Sequence, residues 1–446
     1  MEHISSHQKQ SIHDVGISFM NLTIPQVNGL QGILQIPGDK SISHRALLIS
    51  AIADGVSEIH SCSNAADPVS TLTCIKQLGT QIEERDNYFL IHGNGRRGLQ
   101  EPLTPLDAGN SGTTMRLLSG ILAGQNFHSV VLGDSSLCQR PMKRIIDPLR
   151  HMGAHIHGTE RNTAPLFIEP VERLHSIQYT LPVPSAQVKS ALLFAGLFAD
   201  GVTTIHESSK TRDHTERMLG LQSTIQNGSN VVEVNSAMTI EGKKFYVPGD
   251  MSAAAFFLSA GMIVPESHIT IQNVGLNPTR RRILDIFRSM GGDIQIENEQ
   301  FMEGEPIGDL VVRYSDLKSN LDLRGSDVVD LIDEIPILSV TALFAEGTLS
   351  IHDARELRAK ETDRIAAMVH NLRLLGCEVE EYEDGFSFEG KKKYSGAFIP
   401  SYSDHRIAMS FAIAGLRIPN ITIENTECAD ISFPGFWQKL LSLAST

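Results

Sequence analysis

A unit of about 70 residues repeats six times along this chain of 446 residues, and the repeat constrains the fold more than any other feature. In each copy a short polar turn precedes about ten apolar or small residues. The copies begin at Ser41, Asn110, Ser185, Met251, Ile332 and Ser403. Such a unit is too long for a solenoid repeat and matches a small α/β subdomain.

The pattern inside each copy predicts two helices of different character. A helix that is apolar on every side is buried, so the first helix should lie beneath strands with only its first turn polar. A second, amphipathic helix follows in most copies and stops at a glycine suited to the left-handed conformation. These glycines are Gly79, Gly153, Gly291 and Gly376, and we expect short strands to follow that end at Ile82, Ile156, Ile294 and Val379. The unit is therefore predicted to be βαβαββ.

The sequences Ile-Pro-Gly-Asp at Ile36–Asp39 and Val-Pro-Gly-Asp at Val247–Asp250 precede the first and fourth buried helices. We interpret them as two crossings between two halves of three units each. The prediction is a two-domain α/β protein, with residues 38–247 as one domain and 19–37 plus 248–446 as the other. Residues 1–18 are polar without periodicity and are expected to form a flexible extension.

Composition narrows the class of protein. The chain has 38 basic and 52 acidic residues, a formal charge of −14, which argues against a general nucleic-acid binder. With 41% hydrophobic and 20% charged residues it is expected to be globular. We expect no transmembrane segment and no secretory signal.

The cysteines and histidines give no sign of a metal site. Five scattered cysteines without a CxxC pair favour reduced thiols in a cytoplasm. His151, His155 and His157 lack a neighbouring carboxylate and are interpreted as solvent-facing residues at a helix end, not metal ligands.

The first turns of the buried helices carry hydroxyls and cations. If the helices in each half run parallel, their N-termini point to one surface that attracts anions. The residues there are Lys40, Ser41, Ser43 and Arg45; Asn110, Ser111, Thr113 and Arg116; Ser185, Gln187 and Lys189; and Asp404, His405 and Arg406. Taken singly, a Ser or Asn in such a turn is an ordinary N-cap. Repetition with a cation one turn further in favours a site for phosphate or carboxylate groups.

The fifth turn differs because Asp333 stands where its counterparts carry cations or hydroxyls. A carboxylate among cations stays ionised and can accept a proton from a substrate hydroxyl, so Asp333 is a candidate general base. The run Lys360–Arg364 should open the amphipathic helix of the same unit. By itself this run also fits a helix-capping pattern on a solvated helix face, with weak i,i+4 charge pairing from Lys360 to Arg364.

Five segments together resemble the signatures of the 5-enolpyruvylshikimate-3-phosphate synthase family, in the family's order over residues 25–440. They are Gly38–Leu47, Gly109–Thr113, Arg140–Met142, Arg358–Arg364 and Asp404–Met409. The resemblance implies an inverted α/β barrel of two domains, each with three βαβαββ units, that close on substrates between them. It implies transfer of the enolpyruvyl group of phosphoenolpyruvate to the 5-hydroxyl of shikimate 3-phosphate, with release of phosphate, in the shikimate pathway of aromatic amino-acid biosynthesis. It implies no metal and no organic cofactor, and we expect a cytoplasmic monomer.

The resemblance also implies roles for individual residues. Asp333 would deprotonate the 5-hydroxyl, Glu361 would protonate the methylene carbon of phosphoenolpyruvate, and Lys40 would contact both substrates. The residues expected to bind shikimate 3-phosphate are Lys40, Ser41, Arg45, Ser185, Ala186, Gln187, Arg212, Asp333 and Lys360. Those expected to bind phosphoenolpyruvate are Lys40, Gly112, Arg140, Gln187, Arg364 and Arg406.

The chain departs from the family pattern near its end, where many members carry a Lys and this chain has Ile431-Ser432 before Phe433-Pro434. One phosphate contact is thereby removed. Gly112 is not the Ala that accompanies glyphosate exclusion in part of the family, so we expect glyphosate to compete with phosphoenolpyruvate.

Two rival interpretations stay open at this stage. One is a UDP-N-acetylglucosamine enolpyruvyl transferase, which shares the fold and the donor. Its first turn would read Lys-Asn, and Cys138 lies too near Arg140 to match its catalytic cysteine. The other is a catalytically silent anion-binding protein, against which Asp333, Lys360 and Glu361 argue because a binder needs neither an acid nor a base.

Overall fold

The computed structural model of the chain describes residues 21–445. The predicted extension, residues 1–18, lies outside this range. Within it the chain forms 13 α-helices and three 3-10 turns. The helices are α1 Lys40–Ala51, α2 Ala66–Gln77, α3 Gly112–Leu122, α4 Lys143–His151, α5 Ala186–Gly196, α6 His214–Leu219, α7 Met251–Ile263, α8 Arg282–Ser289, α9 Ser326–Leu331, α10 Ile335–Leu343, α11 Arg364–Leu374, α12 His405–Gly415 and α13 Phe436–Ser442. The turns are Leu137–Gln139, Arg355–Ala359 and Thr426–Ile431.

The strands of residues 21–445 form six small sheets, one for each repeat. In chain order the strands are β1 Asn21–Thr23, β2 Gly29–Gln35, β3 Asp54–His60, β4 Gln81–Arg85, β5 Tyr88–Asn94, β6 Leu106–Asp107, β7 Ser129–Leu132, β8 His155–His157, β9 Leu166–Glu169, β10 Gln178–Thr180, β11 Val202–Glu207, β12 Ser223–Gln226, β13 Ser229–Asn235, β14 Lys244–Tyr246, β15 His268–Gly275, β16 Asp293–Met302, β17 Glu305–Arg313, β18 Leu321–Leu323, β19 Thr348–Ile351, β20 Val379–Tyr382, β21 Gly385–Glu389, β22 Phe398–Ile399, β23 Thr422–Glu424 and β24 Ala444–Ser445. Their sheet orders are β14-β3-β5-β4, β6-β7-β9-β8, β10-β11-β13-β12, β16-β17-β15-β2-β24, β18-β19-β21-β20 and β1-β23-β22. This arrangement confirms the predicted α/β class.

The first helix of every repeat is buried, as predicted. Every residue of α7, α10 and α12 is buried. In α1, α3 and α5 the residues that are only half-buried lie at or near the first turn: Lys40, Ser41, Thr113, Arg116, Ala186 and Gln187. These helices pack on one another inside each half, α3 on α5 and α10 on α12. Each buried helix therefore contacts other helices on one side and a sheet on the other, which explains why it is apolar all round.

The predicted glycine stops are confirmed, since Gly79, Gly153, Gly291 and Gly376 have φ between 86° and 93°. Three of the four expected strand ends are wrong, and the fourth, Ile156, lies one residue short of the end of β8. The strands β4 and β16 run on to Arg85 and Met302, and Val379 begins β20. The reason is that each strand continues into an antiparallel hairpin whose far end is solvated and carries no apolar signal.

Two strands are exchanged between the halves. Strand β2, which precedes α1, pairs in parallel with β15 of the fourth repeat. Strand β14, which precedes α7, pairs in parallel with β3 of the first. The sixth repeat departs from the βαβαββ pattern because a 3-10 turn and α13 follow β23, and β1 supplies the antiparallel neighbour.

Each half has its own hydrophobic core. One cluster is built from residues 42–247 and the other from residue 24 to 34 and 251 to 443. The crossing segments lie side by side, where the N–H of Asp39 donates to the Pro248 carbonyl at 2.7 Å and that of Asp250 to the Pro37 carbonyl at 3.0 Å. Glycine is needed at position 38, because a Cβ there would lie 2.0 Å from the carbonyl oxygen of Ser61.

Candidate active site

Five of the six buried helices have an N-terminus capped by a side chain, and α10 has none. The residues that accept a backbone N–H in this way are Asp39, Ser111, Ser185, Asp250 and Asp404. The capping interpretation is thus correct for Ser111 and Ser185. It does not exclude a site, because the cations Lys40, Arg116 and Arg406 stand beside these caps and not in them.

Asp333 lies immediately before α10 and collects cations from both halves. Arg212 of the first half donates to its Oδ2 at 2.5 Å, while Lys360 Nζ and Arg364 Nη1 lie 3.7 and 3.8 Å from Oδ1. Arg406 Nη1 donates to the Asp333 carbonyl at 2.6 Å. Burial by itself would raise the pKa of Asp333, but these cations hold it well below its usual range. The carboxylate is therefore ionised, as a general base requires.

Glu361 is the second such carboxylate. Its Oε2 accepts from Arg364 Nη2 at 2.6 Å, and Arg364 is fixed in turn by Asp404, whose Oδ2 lies 2.8 Å from Nε. Burial opposes ionisation of Glu361, yet its pKa is well below normal because of Arg364 and three groups further away. Those groups are His405, Arg140 and Lys40. Two of them, Arg140 and Lys40, belong to the first half, so Glu361 faces that half. The boundary between the two halves at these residues is called the gap below.

Lys40 opens α1 and points at a carboxylate of its own half. Its Nζ lies 2.8 Å from Asp67 Oδ2. Burial disfavours the charged amine, but Asp67 and Glu361 raise the pKa of Lys40 above its normal value. Lys40 is therefore a cation with one partner on each side of the gap.

Gly112, Arg140 and Gln187 lie close together at the starts of α3 and α5. Gln187 accepts from Arg116 Nη1 at 2.6 Å and donates to Thr113 Oγ1 at 2.9 Å. A Cβ on Gly112 would lie 2.6 Å from Arg116 Nη1 and 3.6 Å from Arg140 Nη1. Arg140 is held by Asn110, whose Oδ1 accepts from Nη2 at 2.7 Å.

The remaining predicted residues are less directly placed at the gap. Arg45 is 2% exposed, and its three nitrogens donate to Thr215, Ser190 and the Ser41 carbonyl at 2.7 to 2.8 Å. Burial lowers the pKa of Arg45 to about 10, and Arg212 is among the charges that act on it. Ser41 is half-buried on the same turn as Lys40, while Ser185 and Ala186 begin α5 beside Gln187.

The expectation that Lys360–Arg364 opens a helix is wrong for four of its five residues. Helix α11 begins at Arg364 with Asp363 as its cap, and Lys360 follows the 3-10 turn Arg355–Ala359. The cap ends the irregular segment because its carboxylate accepts the N–H of Ala366. Lys360 and Glu361 are thus free of helical geometry and reach Asp333 and Arg364, which rules out the solvated helix face.

The sequence analysis did not identify two residues that form ion pairs with charged groups at the candidate site, Asp67 and Arg280. Asp67 pairs with Lys40, and Arg280, which is 4% exposed, lies 3.7 Å from both Glu334 and Asp250. The run of three arginines at 280–282 was the available signal for Arg280. Asp67 carried no signal, since it sits in the first turn of an amphipathic helix where acidic residues are ordinary.

Histidines and cysteines add no metal site in residues 21–445, where no group of three or more His, Cys, Asp or Glu side chains could hold an ion. His151, His155 and His157 are exposed, although the last two lie on β8 and not at a helix end. Cys138 donates to the Gly133 carbonyl at 3.2 Å. No helix of the described chain is long and apolar enough to cross a membrane.

Two halves of α/β repeats, with buried helices aimed at a charged gap, are the architecture of the enolpyruvyl transferases. The fold is shared with the enolpyruvyl transferase NikO of Streptomyces tendae at a TM-score of 0.75 and 14% identity, over 96% of this chain and 97% of that one. The match to the EPSP synthase of Acinetobacter baumannii is stronger, with a TM-score of 0.84 and 41% identity over 96% and 98% of the two chains.

Residues 24–440 match the family described as EPSP synthase (3-phosphoshikimate 1-carboxyvinyltransferase). The chain is 49% identical to the 3-phosphoshikimate 1-carboxyvinyltransferase of Salinibacter ruber and 47% identical to that of Geobacillus kaustophilus, covering 94% of this chain and 98% of each relative. The chain therefore belongs to the EPSP synthase family, as its motifs predicted. The rival assignment to the UDP-N-acetylglucosamine enzyme is less supported.

Proposed function

We propose that the chain catalyses the reaction of its family, transfer of the enolpyruvyl group from phosphoenolpyruvate to the 5-hydroxyl of shikimate 3-phosphate with release of phosphate. The observation that carries this proposal is the pair of carboxylates, Asp333 and Glu361, each ringed by cations from both halves of the chain. A protein that only binds anions has no use for two ionised carboxylates among its cations, since they compete with the ligand.

Phosphoenolpyruvate is assigned to the side of the gap nearest Glu361. Lys40, Gly112, Arg140, Gln187, Arg364 and Arg406 would hold its phosphate and carboxylate groups. The proximity of Arg140 and Lys40 to Glu361 supports this placement, because the charges act on one another across the gap. The bare backbone at Gly112 leaves room next to Arg140 for an anionic group.

Shikimate 3-phosphate is assigned to the side nearest Asp333. Its proposed ligands are Lys40, Ser41, Arg45, Ser185, Ala186, Gln187, Arg212, Asp333 and Lys360. Arg212 and Lys360 approach the two oxygens of Asp333 from opposite halves, so a sugar-like ring bound between them would have a hydroxyl next to the carboxylate.

In the proposed reaction, Asp333 accepts the proton of the 5-hydroxyl as its oxygen attacks C2 of phosphoenolpyruvate. Glu361 donates a proton to C3, which turns the methylene into a methyl group and yields a tetrahedral adduct. The adduct then loses phosphate, which carries away the proton taken from the 5-hydroxyl and so regenerates the Asp333 carboxylate, and the C3 proton returns to Glu361. Because the cations around Glu361 favour its ionised form, the acid role requires that substrate anions offset them and raise its pKa.

Turnover with alternative acceptors tests the function. Phosphate release from phosphoenolpyruvate should occur with shikimate 3-phosphate and not with UDP-N-acetylglucosamine. Release with the nucleotide sugar alone would replace the proposal by the rival transferase. Binding of phosphoenolpyruvate without release in either assay would favour a silent anion-binding protein.

We also propose that residues 38–247 form one domain, that 19–37 plus 248–446 form the other, and that the enzyme is a cytoplasmic monomer. Residues 19–20 and 446 of that division lie outside the described residues. Two separate hydrophobic cores support the division, and five free cysteines suit a reducing compartment. Sedimentation of the purified enzyme tests the monomer.

A further inference from the structure

Arg212 lies in the run 211–215, whose other four residues are all buried. Thr211, Asp213, His214 and Thr215 are between 0 and 6% exposed, whereas a quarter of the Arg212 side chain is open to the gap. This run, here called the Arg212 segment, covers the end of the connection from β11 and the start of α6, and Arg212 itself makes no backbone hydrogen bond in it. The direction of Arg212 toward Asp333 must therefore be set by what holds its neighbours.

The first anchor lies inside the first half. Glu207, at the end of β11, accepts from both the N–H and the hydroxyl of Thr211 at 3.1 and 2.8 Å. The fully buried Lys189 ties this carboxylate down, with Nζ 2.8 Å from Glu207 Oε1 and 3.4 Å from the Thr211 carbonyl. This anchor fixes the segment to its own domain.

The second anchor crosses to the other half. Asn277 Nδ2 donates to Asp213 Oδ1 at 2.8 Å and to Glu305 Oε2 at 2.9 Å. Its Oδ1 accepts from the N–H and hydroxyl of Thr279, which fixes the orientation of the amide. The other Glu305 oxygen lies 2.8 Å from His214 Nδ1. Both residues are buried, Asn277 at 2% and Glu305 at 4% exposure.

We infer that Asn277 and Glu305 are positioning residues for shikimate 3-phosphate: by clasping Asp213 and His214 from the opposite half, they hold Arg212 at Asp333. Neither residue touches Asp333, and both act through the Arg212 segment. The clasp makes the aim of Arg212 depend on the relative placement of the two halves. This inference rests on the proposed role of Arg212 in binding shikimate 3-phosphate.

Removing these contacts should affect the binding of shikimate 3-phosphate and not that of phosphoenolpyruvate. Loss of the clasp should weaken binding of shikimate 3-phosphate by about 10-fold, because a displacement of about 1 Å at a positioned group is costly. The KM for phosphoenolpyruvate should change much less, since Arg140, Arg364 and Arg406 are held by other partners.

The experiment measures the Kd of shikimate 3-phosphate by calorimetry for the wild type, Asn277→Ala, Arg212→Ala and the double variant. Each single change should weaken binding. In the double variant the Asn277 change should add little, because its effect passes through a guanidinium that is already gone. Independent, multiplying effects would overturn the inference, and so would unaltered binding in either single variant.

Asn371→Ala is the matched control, since Asn371 is also fully buried and donates to a carbonyl, that of Pro400, away from Arg212. It should lower thermal stability without selectively weakening the binding of shikimate 3-phosphate.

If Asn277→Ala does not fold, Glu305→Gln replaces it, because the glutamine side chain keeps one oxygen that can accept a hydrogen bond from Asn277 or His214. Failure of the proposed function is distinguishable, because the wild type itself would then neither bind nor turn over shikimate 3-phosphate.

Discussion

The two walls of the gap differ in what they contribute. The first half supplies mainly cations and hydroxyls, with Lys40, Arg140 and Arg212 foremost. The second half supplies the two carboxylates, Asp333 and Glu361, together with the cations Lys360 and Arg364 beside them. Each carboxylate nevertheless has a partner on the opposite wall, Arg212 for Asp333 and Lys40 for Glu361. The difference teaches that, in the proposed reaction, one wall would mainly bind and the other would react, so that neither wall would be a complete site.

The largest effect should come from the reacting wall. Glu361→Ala is expected to lower kcat by on the order of 10³-fold, because it removes the proposed proton donor. Steady-state phosphate release measures this loss. Glu356→Ala, five residues earlier and half-exposed, should retain most of the rate. A variant of Glu361 with near-normal kcat would show that the reacting group lies elsewhere.

Lys40→Met tests the binding wall and should lower kcat/KM by roughly 10²- to 10³-fold for both substrates. It also leaves Asp67 without its cation, which should cost about 1–3 kcal/mol in the free energy of unfolding. Adding Asp67→Asn separates the two effects. The double variant should recover stability, measured by denaturant titration, while the activity stays low. Recovery of both would mean that Lys40 serves the fold alone.

Gly112→Ala sharpens the view of the binding wall on a smaller scale. The added Cβ would meet Arg116 Nη1 at 2.6 Å, so that side chain must shift beside Arg140. We expect the KM for phosphoenolpyruvate to rise about 10-fold, as steady-state kinetics would measure.

Glyphosate should inhibit the wild type in competition with phosphoenolpyruvate, and it should inhibit the Gly112→Ala variant less. Undiminished turnover of the wild type at millimolar glyphosate would contradict this.

The smallest expected effect is on the pH dependence of stability and comes from a buried histidine. Each wall has one such histidine directly before an arginine, His44 in α1 and His405 in α12. Burial lowers the pKa of His44 to about 3 and that of His405 to about 4. Stability from a neutral buried His44 is complete above its unfolded pKa, about 6.5, and is lost as the pH falls from there toward 3. Between pH 7 and 5 this histidine should remove about 2 kcal/mol from the free energy of unfolding.

His44→Gln keeps a partner for Thr71 and should make the acid loss of stability shallower by about that amount. Denaturant titrations at pH 7 and 5 measure the difference. His268→Gln, at an exposed histidine, is the control and should leave the wild-type slope in place. An unchanged slope for His44→Gln would mean that this histidine titrates alike in the folded and unfolded chain.

Much of the fold could be predicted because burial imposes its own pattern. A helix like α7, apolar on every side, has no other environment available, and a glycine such as Gly79 marks where its amphipathic neighbour stops. The hairpin ends of β4 and β16 could not be predicted, because solvated strand residues carry no periodic signal.

Part of the charge cluster at the candidate site could be predicted as well, while the roles of its residues stay predictions. Lys40 and Arg406 stood out because a charge within an apolar helix needs a reason. Asp67 and Asn277 did not, because their contacts are made across long sequence separations and their own surroundings in the sequence are ordinary.

The exchange of β2 and β14 sets an order of events during synthesis. Strand β2 leaves the ribosome before any of residues 38–247, yet its parallel neighbour β15 begins only at His268. Meanwhile the whole of residues 38–247, with β14 as its last strand, has emerged and can assemble its three sheets. Strand β2 must therefore wait, unpaired, beside a finished domain until its partner strand in the later half has been synthesised.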